Sequence, residues 1–147
     1  METTFLSIGL IHRTEQNKAQ YLVLQTDDCW SLITGERLEK ESFRETIIRE
    51  VSWTLDLDRQ KDFVVSNMSA SSQEYVEEGS EGARHFAIAF YRARLYSKAA
   101  REKIESDERV QWVSARELCE GSIGGQKIIE TRIVNWINRW SVLNPWE

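Results

Sequence analysis

Between Ser42 and Leu55 the chain has little choice of structure. Ser42 and Glu45 stand in S-x-x-E spacing, a capping box that satisfies two backbone donors at the start of a helix. Phe43, Ile47, Val51 and Leu55 then recur every four residues and form one apolar stripe. On the same helix Glu41, Glu45 and Arg49 fall in a second row at i, i+4 and i+8. A helix with one apolar stripe must bury it against another element.

The surrounding sequence supplies strands. Phe5 to His12 and Tyr21 to Gln25 are apolar runs joined by the polar segment TEQNKAQ, which predicts an antiparallel hairpin. Trp30 to Ile33 predicts a third strand, leading into Thr34-Gly35. Asp62 to Met68 and Arg109 to Val113 predict further strands, and His85 to Tyr96 alternates best of all in its second half. Residues 69–84, SASSQEYVEEGSEGAR, lack periodicity and predict an exposed, mobile acidic loop. Ser97 to Ser106 is helix-prone but short. Ser114 and Glu117 form a second capping box, whose helix Gly121 closes. From Ile123 onward Ile129, Ile133, Ile137 and Trp140 mark an amphipathic helix that Pro145 stops. The 147 residues fit a single α+β domain, 1–147.

Gly35 is followed six residues later by Glu41, and eight residues after that by Arg49-Glu50-Val51. This spacing resembles the Nudix box, where two glutamates follow one free position after the aliphatic residue. Trp53 and Thr54 stand in their place, and Asp56 replaces the box glycine before Leu57. Glu39-Lys40-Glu41-Ser42 is similar to the family's Glu-x-Gly-Glu-Ser turn. Trp30-x-Leu32 resembles the approach to the box, with Ile33-Thr34 for the usual Pro-Gly. Gln111-Trp112-Val113-Ser114 with Glu117-Leu118 resembles a late strand and helix. The resemblance covers nearly the whole chain and implies a Nudix-like α/β/α sandwich around a mixed sheet.

It also implies a function: metal-assisted hydrolysis of nucleoside diphosphate-linked compounds, with water attacking phosphorus and Mg²⁺ or Mn²⁺ neutralising the pyrophosphate. Glu50 matches a metal-binding glutamate, and Gly35 matches the glycine that offers a carbonyl. Arg49 and Glu41 match the pair that orients the box. Hard divalent cations want several carboxylate oxygens, which glutamates at i, i+3 and i+4 deliver from one helix face. Here only position i remains, so Mg²⁺ or Mn²⁺ is expected to bind weakly and hydrolysis to be weak or altered. Trp53 reads as a packing element or pocket wall, with stacking on a base as the less favoured reading. Arg92 and Arg94 share a strand face and are candidates for a substrate phosphate.

Composition narrows the partners. A net charge of -5 argues against broad nucleic-acid binding, yet allows a small phosphorylated ligand such as a nucleotide. No apolar run is long enough for a membrane span, and no leader pattern opens the chain, so the expected location is the cytoplasm. Cys29 and Cys119 have no ligand-like spacing and read as buried or free thiols, with no disulfide or zinc site expected. Two further readings stand beside the hydrolase: a catalytically inactive nucleotide-binding module, and a protein-interaction domain or homodimer using an apolar face around Trp136, Trp140 and Trp146.

Overall fold

A computed structural model describes residues 2–147. The hairpin forms as β1 (Thr3–Glu15) and β2 (Lys18–Gln25), paired antiparallel from His12↔Tyr21 to Glu15↔Lys18. Gln16 and Asn17 turn it at φ 50° and 65°, the left-handed pair that suits the twist of a two-residue hairpin loop. β1 is the organising strand. Its first half pairs antiparallel with β4 (Ile33–Glu36) and, along its other edge, parallel with β7 (Gly82–Leu95).

Sheet order is β3-β2-β1-β7-β5, with β3 at Trp30–Ser31 and β5 at Phe63–Val65. β4 attaches to β1, β6 (Ser71–Gly79) to β7, and β8 (Val110–Ser114) to β2. The helices are α1 (Phe43–Leu55), α2 (Lys98–Glu105), α3 (Ala115–Glu120) and α4 (Thr131–Arg139). A small hairpin, β9 (Ser122–Ile123) with β10 (Lys127–Ile128), joins the last two.

Alternation along the strands divides the interior into two cores. Ile47, Val51 and Leu55 of α1 and Ala100 and Ile104 of α2 bury against Ile11, Leu22, Ile33, Ala93 and Leu95. Leu118 of α3 and Ile133, Trp136 and Ile137 of α4 bury against Ile8, Leu10, Tyr21, Phe86, Ile88 and Phe90. Helices thus cover both faces of a mixed sheet, the expected α/β/α sandwich. Among the described residues no helix is long and apolar enough to cross a membrane.

Several sequence expectations need correction. The predicted loop 69–84 is largely β6, which pairs with β7 from Ser71↔Phe90 to Gly79↔Gly82. Its polarity reflects an edge strand: Glu74, Glu77 and Glu78 keep it from pairing with another sheet. The single strand at Trp30 to Ile33 is two, because Trp30–Ser31 joins β2 while Ile33–Glu36 joins β1. The last helix starts at Thr131, since Gly124 and Gly125 at φ 60° and 75° turn the preceding segment into the β9–β10 hairpin. Trp136 is 3% exposed and stacks on Trp140 at 6.2 Å, with Tyr75 of β6 edge-on to both. The aromatic cluster closes α4 onto the β6–β7 hairpin, leaving Trp146 as the exposed member of the three tryptophans.

Candidate functional site

β4 and α1 bring Gly35, Glu41, Arg49 and Glu50 together, and the local sequence dictates how. Ser42 caps α1: its hydroxyl accepts from the Glu45 amide, and the Glu45 carboxylate accepts from the Ser42 amide at 2.9 Å. Glu45 is therefore engaged at the cap and does not join the row with Arg49. Just before the cap Lys40 takes φ 68°, a left-handed turn position, and this directs Glu41 back over the helix.

Glu41 is the centre of the resulting network. Arg49 donates to it twice, from Nε at 2.8 Å and from Nη2 at 3.1 Å. Thr46, fully buried, donates its hydroxyl to the same carboxylate at 2.8 Å, and the Leu38 amide donates at 3.0 Å. The Arg49 guanidinium foremost, with those donors, holds the Glu41 carboxyl at about 2. The side chains of Arg49 and Glu41 are only 13% and 14% exposed, so the pair is not the solvated ion-pair row that helical spacing alone suggests. Arg49 also bonds the Glu36 carbonyl at 2.9 Å and the Glu50 carboxylate at 3.1 Å. Thr46 is the member that sequence reading missed; its signal was a polar residue next to the apolar stripe.

Glu50 lies directly over Gly35. A Cβ at Gly35 would overlap Glu50 Cγ and stand 2.8 Å from Glu50 Oε1. One helical turn further on, the surface changes character. Trp53 is 71% exposed, with the Arg49 guanidinium 5.4 Å from its ring, so it is not the packing element expected of a large aromatic. The Thr54 carbonyl accepts from Arg109 at 3.1 Å. Gln111 accepts from Lys127 at 3.2 Å, and Lys127 stands 5.1 Å from the Trp30 ring.

The residues present fit a divalent metal poorly. Glu50 is one carboxylate, Gly35 offers at most a carbonyl, and the next positions on that face are an indole and a neutral hydroxyl. Among the described residues no three His, Cys, Asp or Glu side chains gather to hold a metal ion. The acidic residues of 69–84 do not supply replacements. Glu77 pairs with Arg132 at 2.9 Å and Glu74 lies 4.0 Å from His85, whose other ring nitrogen meets Thr3 at 2.7 Å.

Arg92 and Arg94 fall elsewhere. Leu10↔Arg92 is a paired position, and Leu10 faces the α3–α4 core. The two arginines therefore project from the sheet face opposite α1, and do not converge on Glu50.

No protein-family model matches the chain, and no curated protein matches it in sequence. Solved structures do. An Ap4A hydrolase of C. elegans aligns over 99% of this chain and 96% of its own, at 13% identity and a TM-score of 0.64. A mutT/nudix family protein from Listeria innocua covers 92% of this chain and 90% of its own, at 12% identity and a TM-score of 0.58. NrtR of Shewanella oneidensis, also solved with a 27mer DNA, matches 92% of this chain at 14% identity and a TM-score of 0.62. This chain spans 60% of NrtR. Identities this low carry the fold and leave the activity to the site itself.

Proposed function

Since the chain has the Nudix fold, we propose that it holds a small phosphorylated ligand of the nucleoside diphosphate-linked class at the α1–β4 frame and hydrolyses its pyrophosphate bond weakly or by altered chemistry. One observation carries the reading. Arg49 fixes Glu41 and Glu50 in a tight, partly buried network with Glu50 seated on Gly35, while Trp53 and Thr54 occupy the following turn. In this reading Glu50 is the remaining acid at the reacting end, aided by the Gly35 carbonyl as a weak Mg²⁺ or Mn²⁺ ligand. Arg49 and Glu41 hold it in place. Losing two carboxylates removes charge stabilisation normally worth several kcal/mol of barrier, which predicts turnover lowered by orders of magnitude.

The exposed Trp53 favours a second reading, in which the protein binds without cleaving. An indole 71% exposed beside a guanidinium is a ready stacking platform for a base. In either reading the partner is a nucleotide-like small molecule, and the expected setting is the cytoplasm.

A panel of dinucleoside polyphosphates, nucleoside diphosphate sugars, oxidised nucleoside triphosphates and NAD, each with and without Mn²⁺, tests the proposal. Turnover lost in Glu50→Gln supports the hydrolase. Thermal stabilisation without turnover supports the binding module. Neither response to any compound overturns both and leaves the interaction-domain reading.

A further inference from the structure

β1 and β7 run together until Ile11↔Ala93 and then part, β1 turning to pair with β2 and β7 continuing beside β5. The fork opens a cleft of about 260 Å³ lined by His12, Val64, Ser66, Arg92 and Arg94. Across His12 and Arg94 it continues into a larger cleft of about 620 Å³, bounded by α2 and Trp112. Further back on β1 and β7 the same face carries Ile8, Leu10, Phe86, Ile88 and Phe90 into the core. At the fork it turns basic.

The basic groups lack acidic partners of their own among the described residues. Neither Arg92 nor Arg94 makes an ion pair among the described residues. Among the described residues the Arg92 side chain reaches the Tyr21 hydroxyl alone, at 3.5 Å. Tyr21 is fully buried and donates that hydroxyl to the Glu147 carboxylate at 3.0 Å. Of the acids bordering the larger cleft, Glu105 pairs with Arg13 at 3.5 Å and Glu102 with Lys98 at 3.8 Å, while Glu15 makes no ion pair among the described residues.

We propose that His12, Tyr21, Arg92 and Arg94 form a binding site for a phosphoryl group, and that the Glu147 carboxylate is its built-in competitor. Two guanidinium forks and a phenol match the oxygens of a phosphoryl group far better than they match one another. Burial foremost, with the charges of Arg92 and Arg94, holds the His12 pKa below its ordinary value, while Glu147 pulls it the other way. Glu147 already shows an anionic oxygen held by Tyr21. The larger cleft has the volume of an ordinary small-molecule site, with room for the rest of a phosphomonoester. Arg92 and Arg94 project from the sheet face opposite α1, and neither cleft is lined by Gly35, Glu41, Arg49 or Glu50.

The test titrates the full chain, in EDTA so that no metal contributes, with inorganic phosphate and with adenosine 5′-monophosphate. Calorimetry gives the affinity and the His12 ring resonances give the location. Saturable binding that shifts the His12 signals is expected. Glu147→Gln should tighten it several-fold, and Arg92→Gln with Arg94→Gln should weaken it at least about tenfold. Arg94→Gln alone, at an exposed position, gives the same direction without risk to the fold. Equal affinities for the two probes identify free phosphate as sufficient, and a much tighter monophosphate identifies a phosphomonoester. No saturable binding, or binding untouched by Glu147→Gln and by the arginine variants, overturns the proposal. So does binding lost in Glu50→Gln, which would assign the ligand to the α1–β4 frame.

Discussion

Glu50 occupies the space that a side chain on Gly35 would need, its Oε1 lying 2.8 Å from the place of a Gly35 Cβ. The glycine near the end of β4 is therefore the floor on which the Glu50 carboxylate rests. Gly35→Ala should expel Glu50 and break its 3.1 Å bond to Arg49. Because a solvent-edge side chain can swing away, the loss of stability should stay near about 1 kcal/mol. Any hydrolysis should fall as far as in Glu50→Gln. Unchanged turnover in Gly35→Ala would separate Glu50 from the chemistry.

The Glu41–Arg49 pair makes stability depend on acid. Its folded pKa, about 2, lies below the ordinary 4.5. The contribution is thus fully present above pH 4.5 and is lost as the pH falls towards 2, where the folded state must also take up the proton. Glu41→Gln should cost about 1–3 kcal/mol at neutral pH and flatten that part of the stability profile. Urea unfolding at several pH values measures both.

Metal affinity should be poor and repairable. Titration of Mn²⁺ into the protein should give a dissociation constant of about 1 mM or weaker. Trp53→Glu with Thr54→Glu restores carboxylates three and four residues after Glu50, on the same face of α1. The double variant should bind Mn²⁺ markedly tighter and gain pyrophosphatase activity. Tight binding by the unaltered chain would mean that other donors complete a metal site around Glu50.

Lys40 adopts φ 68° with a Cβ in the way. Lys40→Gly removes that clash and should stabilise the fold by up to about 1 kcal/mol, after the extra freedom glycine gives the unfolded chain. Thermal unfolding reads the sign; a clear loss would mean that the lysine stem packs on the turn.

β6 should behave as a strand. Alternate amides between Ser71 and Glu78 point at β7 and should exchange slowly with deuterium, against fast exchange at Ser80 and Glu81 in the turn. Uniformly fast exchange from 71 to 79 would return this segment to the mobile loop that its composition suggests.

Local chemistry made the first hairpin and the capped helices legible. Ser42 and Ser114 each bond the residue three positions on, so their helices start where the sequence says. Edge polarity misled at 69–84, because an outer strand needs few apolar residues and carries charges by design. Position-by-position comparison with the Nudix box located Glu41, Arg49 and Glu50, but helical phase alone misplaced Glu45. Its carboxylate takes the free amide of its own cap in preference to a guanidinium a turn away.

Within the chain itself, then, the order of residues determined where α1 begins, which face it buries, and which side chains follow Glu50 along it. These follow from spacing and from bonds that span three or four positions. Tertiary structure alone decided that Glu50 rests on Gly35, that Trp53 stands in solvent, and that Arg92 and Arg94 open onto the other side of the sheet. Each of those depends on which strand lies beside β1 and where β7 leaves it. That pairing joins residues some eighty positions apart, and no local pattern encodes it.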